Sequence, residues 1–322
     1  MSATVTAATI PEVAHHHATV AGADLHWVTA GDAGTPVLLV HGFPESWWAF
    51  HELIPLMAAE HRVIAVDLPG FGDSGSEPGD YTSASFADSL AALIAHLDVG
   101  PVHLTGQDIS GVPAFRLAAQ HPELVRSFTA IETALPGFGM EKLADVANGG
   151  MWHVGFLAAP GIPELLLAGR EREFLTGYAF PVMSGTPGAV TERDVDEFTR
   201  VFSRPGGLRS TAGFYGAMLG EGDEIRQLVA RGRLTMPVLA VDALADFTRA
   251  TMRQVASDVT EVKLDGIGHL VAMEAPETLA QTLLGFYRPL DGGHAGEASP
   301  VHRQGDGRPV RIDTSASRGD RI

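Results

Sequence analysis

Short apolar runs that alternate with helical segments constrain this chain more than any other feature of its sequence. The runs are rich in β-branched residues, and most stop at a glycine or a polar residue; they cover residues 36–40, 62–66, 102–105, 125–131, 237–241 and 259–264. Segments with helical periodicity lie between and after them, at residues 83–97, 111–121 and 276–287. Near-continuous apolar strands that alternate with helices are typical of a parallel sheet covered on both faces. The sequence therefore predicts an α/β fold.

Two regions interrupt the alternation. Residues 17–20 and 25–29 flank Gly22 and predict an antiparallel hairpin at the sheet edge, which makes a mostly parallel eight-stranded sheet. Between residues 135 and 234 the chain is helical and aromatic-rich without a convincing strand, so we expect a helical cap inserted into the sheet domain.

The predicted organisation is therefore a core in two parts, residues 1–134 and 235–290, with the cap at 135–234 between them. Residues 291–322 turn to Gly, Ser, Arg and Asp with almost no periodicity, which predicts a disordered tail.

Composition excludes several classes of function. The formal net charge of −17 disfavours nucleic acid and anionic membranes as partners and favours small neutral molecules. The chain has no cysteine, which removes disulfides, thiolate zinc sites and cysteine nucleophiles. No stretch approaches the roughly 18 apolar residues of a membrane span, and residues 1–13 lack a secretory pattern, so we expect a cytoplasmic protein. A homodimer is a hypothesis that the sequence does not support or exclude.

The segment LTGQDISG at residues 104–111 is the centre of the functional prediction. A sharp strand-to-helix turn exposes its central side chain and needs small residues two positions to either side. With Asp108 at the centre those positions are Gly106 and Ser110, whereas Ser110 at the centre would place Asp108 and Val112 there. The register therefore predicts Asp108 as the nucleophile, and its alternative role is the N-cap of the following helix.

The segment HGFPESW at residues 41–47 follows another predicted strand. A turn there can aim the backbone N–H of Phe43 into the pocket beside that of Ile109, and two such donors make an oxyanion hole. The Phe43–Pro44 bond is a candidate for cis geometry.

A histidine and an acid complete the predicted constellation. His269, in DGIGHL at residues 265–270, follows the last strand and is the candidate base. An acid must orient its imidazole, and the chain order nucleophile, acid, histidine leaves Glu132 and Asp246, because Asp242 sits too close to its strand. The residues alone leave both acids open.

These motifs, together with DLPGFGDSG at residues 67–75, resemble the epoxide-hydrolase and haloalkane-dehalogenase branch of the α/β hydrolases over about residues 20–289. The segments MWHVGF at 151–156 and LAGRE at 167–171 are similar to those of Cif-type epoxide hydrolases. The resemblance implies the α/β-hydrolase fold and an epoxide oxygen held by cap residues that match His153 and Tyr215.

In that subgroup the orienting acid matches Glu132, whereas Asp246 matches the acid of epoxide hydrolases with two cap tyrosines. Gln107 and Ser110 depart from the histidine and glycine that are commoner in epoxide hydrolases at these positions, which indicates an unusual pocket or a changed substrate.

An aspartate nucleophile favours attack on an sp³ carbon with a leaving group, which leaves an alkyl ester on the enzyme. We therefore expect an epoxide hydrolase that acts on an apolar epoxide and water without a metal or organic cofactor. The expected substrate-binding residues are Trp47, Trp152, Phe156 and Phe214.

The alternatives are a haloalkane or haloacid dehalogenase, a non-catalytic binding protein on the same scaffold, and an esterase that uses Ser110. Halide binding is disfavoured because Ile109 and Phe43 stand where dehalogenases carry side-chain donors. A fluoroacetate dehalogenase is disfavoured because Val154 replaces the tryptophan expected after His153 and the first arginine after the nucleophile is Arg116.

Overall fold

The computed structural model describes residues 7–75 and 80–292. The described residues up to Asp291 belong to one compact unit. Almost all of the predicted tail at 291–322 lies outside the described residues. Asp291 itself is not part of a tail: it ends the last helix, and its carboxylate accepts a hydrogen bond from Thr35 Oγ1 at 2.6 Å.

One eight-stranded sheet organises this unit, and the fold-class prediction is confirmed. Its order is β1-β2-β4-β3-β5-β6-β7-β8; the pairs β1–β2 and β2–β4 are antiparallel, and all others are parallel. The predicted hairpin lies at the edge of the sheet. The strands are β1 Ala14–Val20, β2 Ala23–Ala30, β3 Pro36–Val40, β4 Arg62–Val66, β5 Val102–Gln107, β6 Val125–Ile131, β7 Val238–Asp242 and β8 Val259–Lys263.

Helices follow most of the parallel strands. In the described residues the α-helices of the sheet domain are α1 Leu53–Ala58, α2 Ser83–Leu97, α3 Gly111–Gln120, α11 Thr248–Val255, α12 Val271–Glu274 and α13 Pro276–Asp291, with 3₁₀ turns at Trp47–Phe50, Asp108–Ser110 and Pro122–Leu124. Every residue of β5 is buried, as expected for a central parallel strand covered on both faces. Edge strand β8 has no fully buried residue.

The segment between β6 and β7, here called the helical insertion (residues 135–234), forms α-helices and short turns without a strand. Its α-helices are α4 Trp152–Leu157, α5 Ile162–Leu167, α6 Glu171–Phe174, α7 Phe180–Met183, α8 Glu192–Phe202, α9 Gly207–Gly220 and α10 Gly222–Arg231; 3₁₀ turns cover Met140–Ala144 and Val146–Asn148, and a π-helical turn covers Leu175–Ala179. The insertion belongs to the same compact unit as the sheet.

A buried and a partly buried ion pair join the insertion to the sheet domain. Arg200 of α8 donates to both carboxylate oxygens of Asp73, at 2.9 and 2.6 Å. Arg116 of α3, the helix that follows Asp108, donates to Glu221 at 3.3 Å and to Ser83 at 2.6 Å. These contacts hold the insertion over the carboxyl ends of the parallel strands, where ligands bind in sheets of this type. No helix in residues 7–75 and 80–292 is long and apolar enough to cross a membrane.

Candidate active site

Asp108 stands at the turn between β5 and α3. It begins the 3₁₀ turn Asp108–Ser110, and its φ of 53° is in the left-handed region that non-glycine residues seldom adopt. The approach of the neighbouring turn is close, because a Cβ on Gly42 would lie 2.6 Å from the Cβ of Asp108. The backbone therefore holds the carboxylate at a strained apex, an arrangement that clusters at functional sites.

Ser110 has a structural position instead. Its side chain is fully buried, and its hydroxyl bonds to the carbonyl oxygens of Val40 at 2.8 Å and Gln107 at 2.7 Å and to the N–H of Gln107 at 2.9 Å. The hydroxyl thus ties the turn to the end of β3.

The turn after β3 contributes a backbone donor to Asp108. The N–H of Phe43 donates to Oδ2 of Asp108 at 2.9 Å, and the Phe43–Pro44 peptide is cis, as predicted. Ile109, the second predicted donor, lines the same cavity as Asp108. This turn therefore already presents one N–H to the oxygen that would carry charge in a tetrahedral intermediate.

His269 lies between two carboxylates. Its Nε2 is 3.5 Å from Oδ1 of Asp108, and its Nδ1 is 3.1 Å from Oε2 of Glu132. Burial lowers the pKa of His269, but the charges of Asp108 and Glu132 outweigh burial and raise the pKa to about 10. The imidazole is therefore protonated while both acids are ionised.

Glu132, not Asp246, contacts the imidazole. Glu132 is buried at a φ of 48°, and its Oε1 accepts the backbone N–H of Ala243 at 2.5 Å. Asp246 is exposed and bonds to Arg249 at 2.8 Å and to Lys263 at 3.1 Å, and these two cations hold the pKa of its carboxyl below the usual value. Of the two acids that the sequence left open, the structure brings only Glu132 to His269.

These groups open onto an apolar cavity of about 100 Å³ under the insertion. His153 of α4 and Tyr215 of α9 face the same cavity as Asp108 and His269. Burial, and then the charge of Asp108, raises the pKa of Tyr215 well above its ordinary value, so the phenol stays protonated. The rest of the wall is apolar apart from backbone groups: Ile109, Met140, Leu143, Met151, Val154, Val182, Met183, Met218, Leu244, Ala245 and Phe247.

The four aromatic residues expected to bind substrate do not line this cavity, which corrects that prediction. Trp47 is buried beside His15 of β1, and its backbone N–H donates to Asp67. Phe214 stacks on Phe86 in the core, with ring centroids 4.7 Å apart.

Trp152 and Phe156 pack against each other instead, with ring centroids 5.4 Å apart, and 44% of Trp152 is exposed. Their place is taken by aliphatic and methionine side chains for which the sequence carried no distinguishing signal.

Two buried groups of the site were not predicted as functional. Glu45 accepts the N–H of Gly42 at 2.8 Å, and its two oxygens lie 2.9 and 3.0 Å from Nε2 of Gln107. Burial raises the pKa of Glu45 to about 7, and the charge of Asp108 adds to this shift. Glu45 stands inside the HGFPESW motif, and Gln107 directly precedes Asp108. The sequence signal for this pair was the departure from the commoner histidine at Gln107.

Within the described residues, one group of side chains has the spacing of metal ligands: His26, Asp67 and Asp73. Asp67 accepts hydrogen bonds from His26 Nδ1, Trp47 N and Asp73 N, and Asp73 is paired with Arg200. These oxygens already have donors, so we interpret the group as a structural network away from the cavity.

The chain is similar over most of its length to proteins named as epoxide hydrolases. It is 32% identical to the soluble epoxide hydrolase of Corynebacterium sp. (strain C12) over 87% of this chain and 99% of that protein. The chain belongs to the epoxide-hydrolase branch of the α/β hydrolases. The model of the α/β-hydrolase fold family matches residues 35–152 of this chain.

Two solved structures are also similar to this chain in sequence and fold. Cfl2 from Burkholderia cenocepacia is 35% identical, with a TM-score of 0.77 over 86% of this chain and 96% of that one. The epoxide hydrolase CorEH is 30% identical, with a TM-score of 0.71 over 87% of this chain and all of that one. The family resemblance predicted from the sequence motifs is therefore confirmed.

Proposed function

We propose that this protein opens an epoxide to a vicinal diol through an alkyl ester on Asp108. The observation that carries the proposal is one apolar cavity that brings the carboxylate of Asp108 and the imidazole of His269 together with two cap donors, His153 and Tyr215. A carboxylate suits attack on an sp³ carbon, and a leaving oxygen needs O–H or N–H donors. The names of the relatives support the same activity.

In the first half-reaction, Oδ1 of Asp108 bonds to one ring carbon, and the carbon–oxygen bond of the ring breaks with its electron pair on oxygen. Oδ2, which accepts the N–H of Phe43, becomes the carbonyl oxygen of the ester. Tyr215 and His153 stabilise the new alkoxide, which takes the phenol proton of Tyr215; solvent returns that proton after the product leaves.

In the second half-reaction, water displaces the alkoxy group of the ester. Esterification removes the charge of Asp108, which is one of the two carboxylates that raise the pKa of His269. The imidazolium then releases one proton to solvent, and its neutral Nε2 accepts a proton from the water that attacks Cγ of Asp108. The amides of Phe43 and Ile109 stabilise the tetrahedral oxyanion, and loss of one such donor typically costs about 3 kcal/mol.

Collapse of that intermediate breaks the bond between Cγ and Oδ1, and Oδ1 leaves on the alkyl group with the proton from His269. The second proton of the water leaves the regenerated carboxyl group of Asp108 and restores the imidazolium of His269. Glu132 orients the imidazole through Nδ1. The water oxygen stays in the carboxylate, and the former Oδ1 departs in the diol. The reaction needs neither a metal nor an organic cofactor.

The cavity wall supports an apolar, uncharged epoxide as substrate. Apart from the four reacting groups, its side chains are aliphatic, thioether or aromatic. Transfer of a charged substrate into such a wall without a partner would cost several kcal/mol, so we propose aliphatic or aryl epoxides without ionised groups.

Mass spectrometry of His269→Gln tests the proposal. We expect an adduct equal to the mass of the epoxide on the peptide that contains Asp108, because ester hydrolysis lacks its base. The matched double variant, Asp108→Asn with His269→Gln, should carry no adduct. With wild-type enzyme in ¹⁸O water, a single turnover should place the label in Asp108 and not in the diol. Label found only in the diol would contradict the ester mechanism.

A matched pair of an epoxide and an alkyl halide separates this function from dehalogenation. We expect diol from the epoxide and little free halide, since Tyr215 and His153 are suited to an oxygen leaving group. Halide release that exceeds diol formation would favour the dehalogenase alternative, and no turnover of either would favour a binding protein.

A further inference from the structure

The imidazole of His153 contacts a residue that the proposed mechanism does not use. Its Nδ1 lies 2.9 Å from the hydroxyl oxygen of Tyr178. His153 is 6% exposed and faces the cavity, whereas Tyr178 does not line it. Within the described residues, the other ring nitrogen of His153, Nε2, takes part in no hydrogen bond.

Tyr178 is fixed by its backbone and by its neighbours. It lies in the π-helical turn Leu175–Ala179, which interrupts the path from α6 to α7. Single π-helical turns are rare and occur frequently at functional sites. The ring of Tyr178 packs on Trp152 at 4.6 Å and on Phe174 at 5.7 Å between centroids. The exposed Trp152 therefore covers the tyrosine and not the substrate cavity.

We propose that Tyr178 is a positioning residue whose hydroxyl donates to Nδ1 of His153 and so holds the imidazole in the tautomer with its proton on Nε2. This inference rests on the proposed function, in which His153 must present an N–H to the epoxide oxygen. In the opposite tautomer, Nε2 would offer a lone pair to an oxygen that gains negative charge, and the contact would be repulsive.

The direction of the hydrogen bond follows from the chemistry of the two groups. A phenol is a stronger hydrogen-bond donor than a neutral imidazole N–H, and an imidazole nitrogen is a stronger acceptor than a phenol oxygen. The tautomer of a histidine is set by the bond that its other nitrogen makes. Burial lowers the pKa of His153, although the charge of Asp108 opposes this and His269 adds to it, so the neutral ring is the form to consider.

The decisive measurement is the tautomer of His153, read by ¹⁵N–¹H correlation spectroscopy of the imidazole in the full-length protein. We expect the proton on Nε2 in the wild type and a mixture of tautomers in Tyr178→Phe. A wild-type spectrum with the proton on Nδ1 would overturn the inference, and this reading needs no substrate.

Kinetics give the second readout. In the His269→Gln background, Tyr178→Phe should slow alkylation of Asp108 about five- to tenfold, the effect of one lost hydrogen bond to the reacting group. Substrate affinity should change little, and the rate of ester hydrolysis with His269 intact should not change, because His153 acts only in ring opening.

Phe174→Leu is the matched control, since Phe174 packs on the same ring without a polar group. Equal loss in Phe174→Leu and Tyr178→Phe would assign the effect to packing and overturn the inference. An unchanged alkylation rate in Tyr178→Phe would overturn it as well, with the proposed function intact. If no epoxide alkylates Asp108 in any variant, the proposed function fails, and the spectrum still decides the role of Tyr178.

Discussion

Nε2 of His269 lies 3.5 Å from Oδ1 of Asp108, so the proposed base and the proposed nucleophile form an ion pair before substrate arrives. The imidazolium is stabilised by a charge that the first half-reaction of the proposed mechanism removes. In that mechanism the two steps are coupled, because ester formation itself prepares His269 to accept a proton.

Substitution of Asp108 should change the titration of His269. In Asp108→Asn the imidazole keeps Glu132 but loses the other carboxylate, so we expect its pKa to fall below the value of about 10. A histidine whose folded pKa exceeds its ordinary value of 6.5 contributes stability that is fully present below about pH 6.5 and is lost as the pH rises through about 10.

Between about pH 6.5 and about pH 10, the free energy of unfolding should therefore fall less steeply in Asp108→Asn than in the wild type. NMR titration of His269 and urea unfolding at several pH values measure the two effects. Asp246→Asn is the control, because Asp246 pairs with Arg249 and Lys263 away from the site. Equal shifts in both variants would contradict the ion pair.

Glu132→Gln should damage ester hydrolysis far more than Asp246→Asn. Loss of the acid that orients a catalytic histidine lowered kcat by about 10⁴-fold in a serine protease, and we expect a fall on the order of 10³-fold or more here, with accumulation of the ester on Asp108. Steady-state turnover and intact-protein mass spectrometry measure it. A comparable loss in Asp246→Asn would assign the orientation of His269 to Asp246 instead.

Glu45 should make the stability of the protein depend on pH. Its carboxyl has a pKa of about 7, compared with an ordinary 4.5, mainly because it is buried. The folded state therefore binds this proton more tightly than the unfolded state, and stability falls as the pH rises from about 4.5 to 7, by up to about 3 kcal/mol.

Glu45→Gln removes this titration, since Gln107 can turn its amide to pair with the new one. Urea unfolding measures the effect. Relative to the wild type, the variant should have a higher free energy of unfolding at pH 8 than at pH 5. A difference that does not vary with pH would show that Glu45 is ionised throughout.

Gly42→Ala should displace Asp108, the proposed nucleophile, without unfolding the protein. The added Cβ would lie 2.6 Å from the Cβ of Asp108, so one of the two turns must move. A misplacement of about 1 Å at a reacting group can cost about 100-fold in rate, and we expect a loss of this order in alkylation rate. Gly285→Ala, where a Cβ meets nothing within 4 Å, should retain the rate. Full activity in Gly42→Ala would mean that the turn after β3 adapts easily.

The strands were predictable because most of them are buried on both faces. Strands β3, β4 and β6 have the predicted bounds, since a parallel strand covered by helices is apolar throughout. Strand β1 begins three residues before the prediction, because Ala14, His15 and His16 pair with β2 without an apolar signal.

The cavity wall was not predictable, because neighbouring residues of a helix point in different directions. Phe214 and Tyr215 are adjacent on α9 and about 100° apart around its axis, and one packs in the core while the other faces the cavity. On α4, likewise, Trp152 packs against Phe156 and its neighbour His153 faces the cavity. Aromatic character alone does not tell which side a residue takes.

Four of the side chains around the cavity are thioethers: Met140, Met151, Met183 and Met218. Unbranched methionine side chains change rotamer at little cost and fill irregular gaps. The shape of the empty cavity therefore need not match the shape of the bound substrate. We therefore expect these side chains to rearrange around epoxides that the resting cavity does not hold. Oxidation of these methionines to the sulfoxide would make the cavity lining polar. We therefore expect the range of accepted epoxides to depend on the oxidation state of the four methionines.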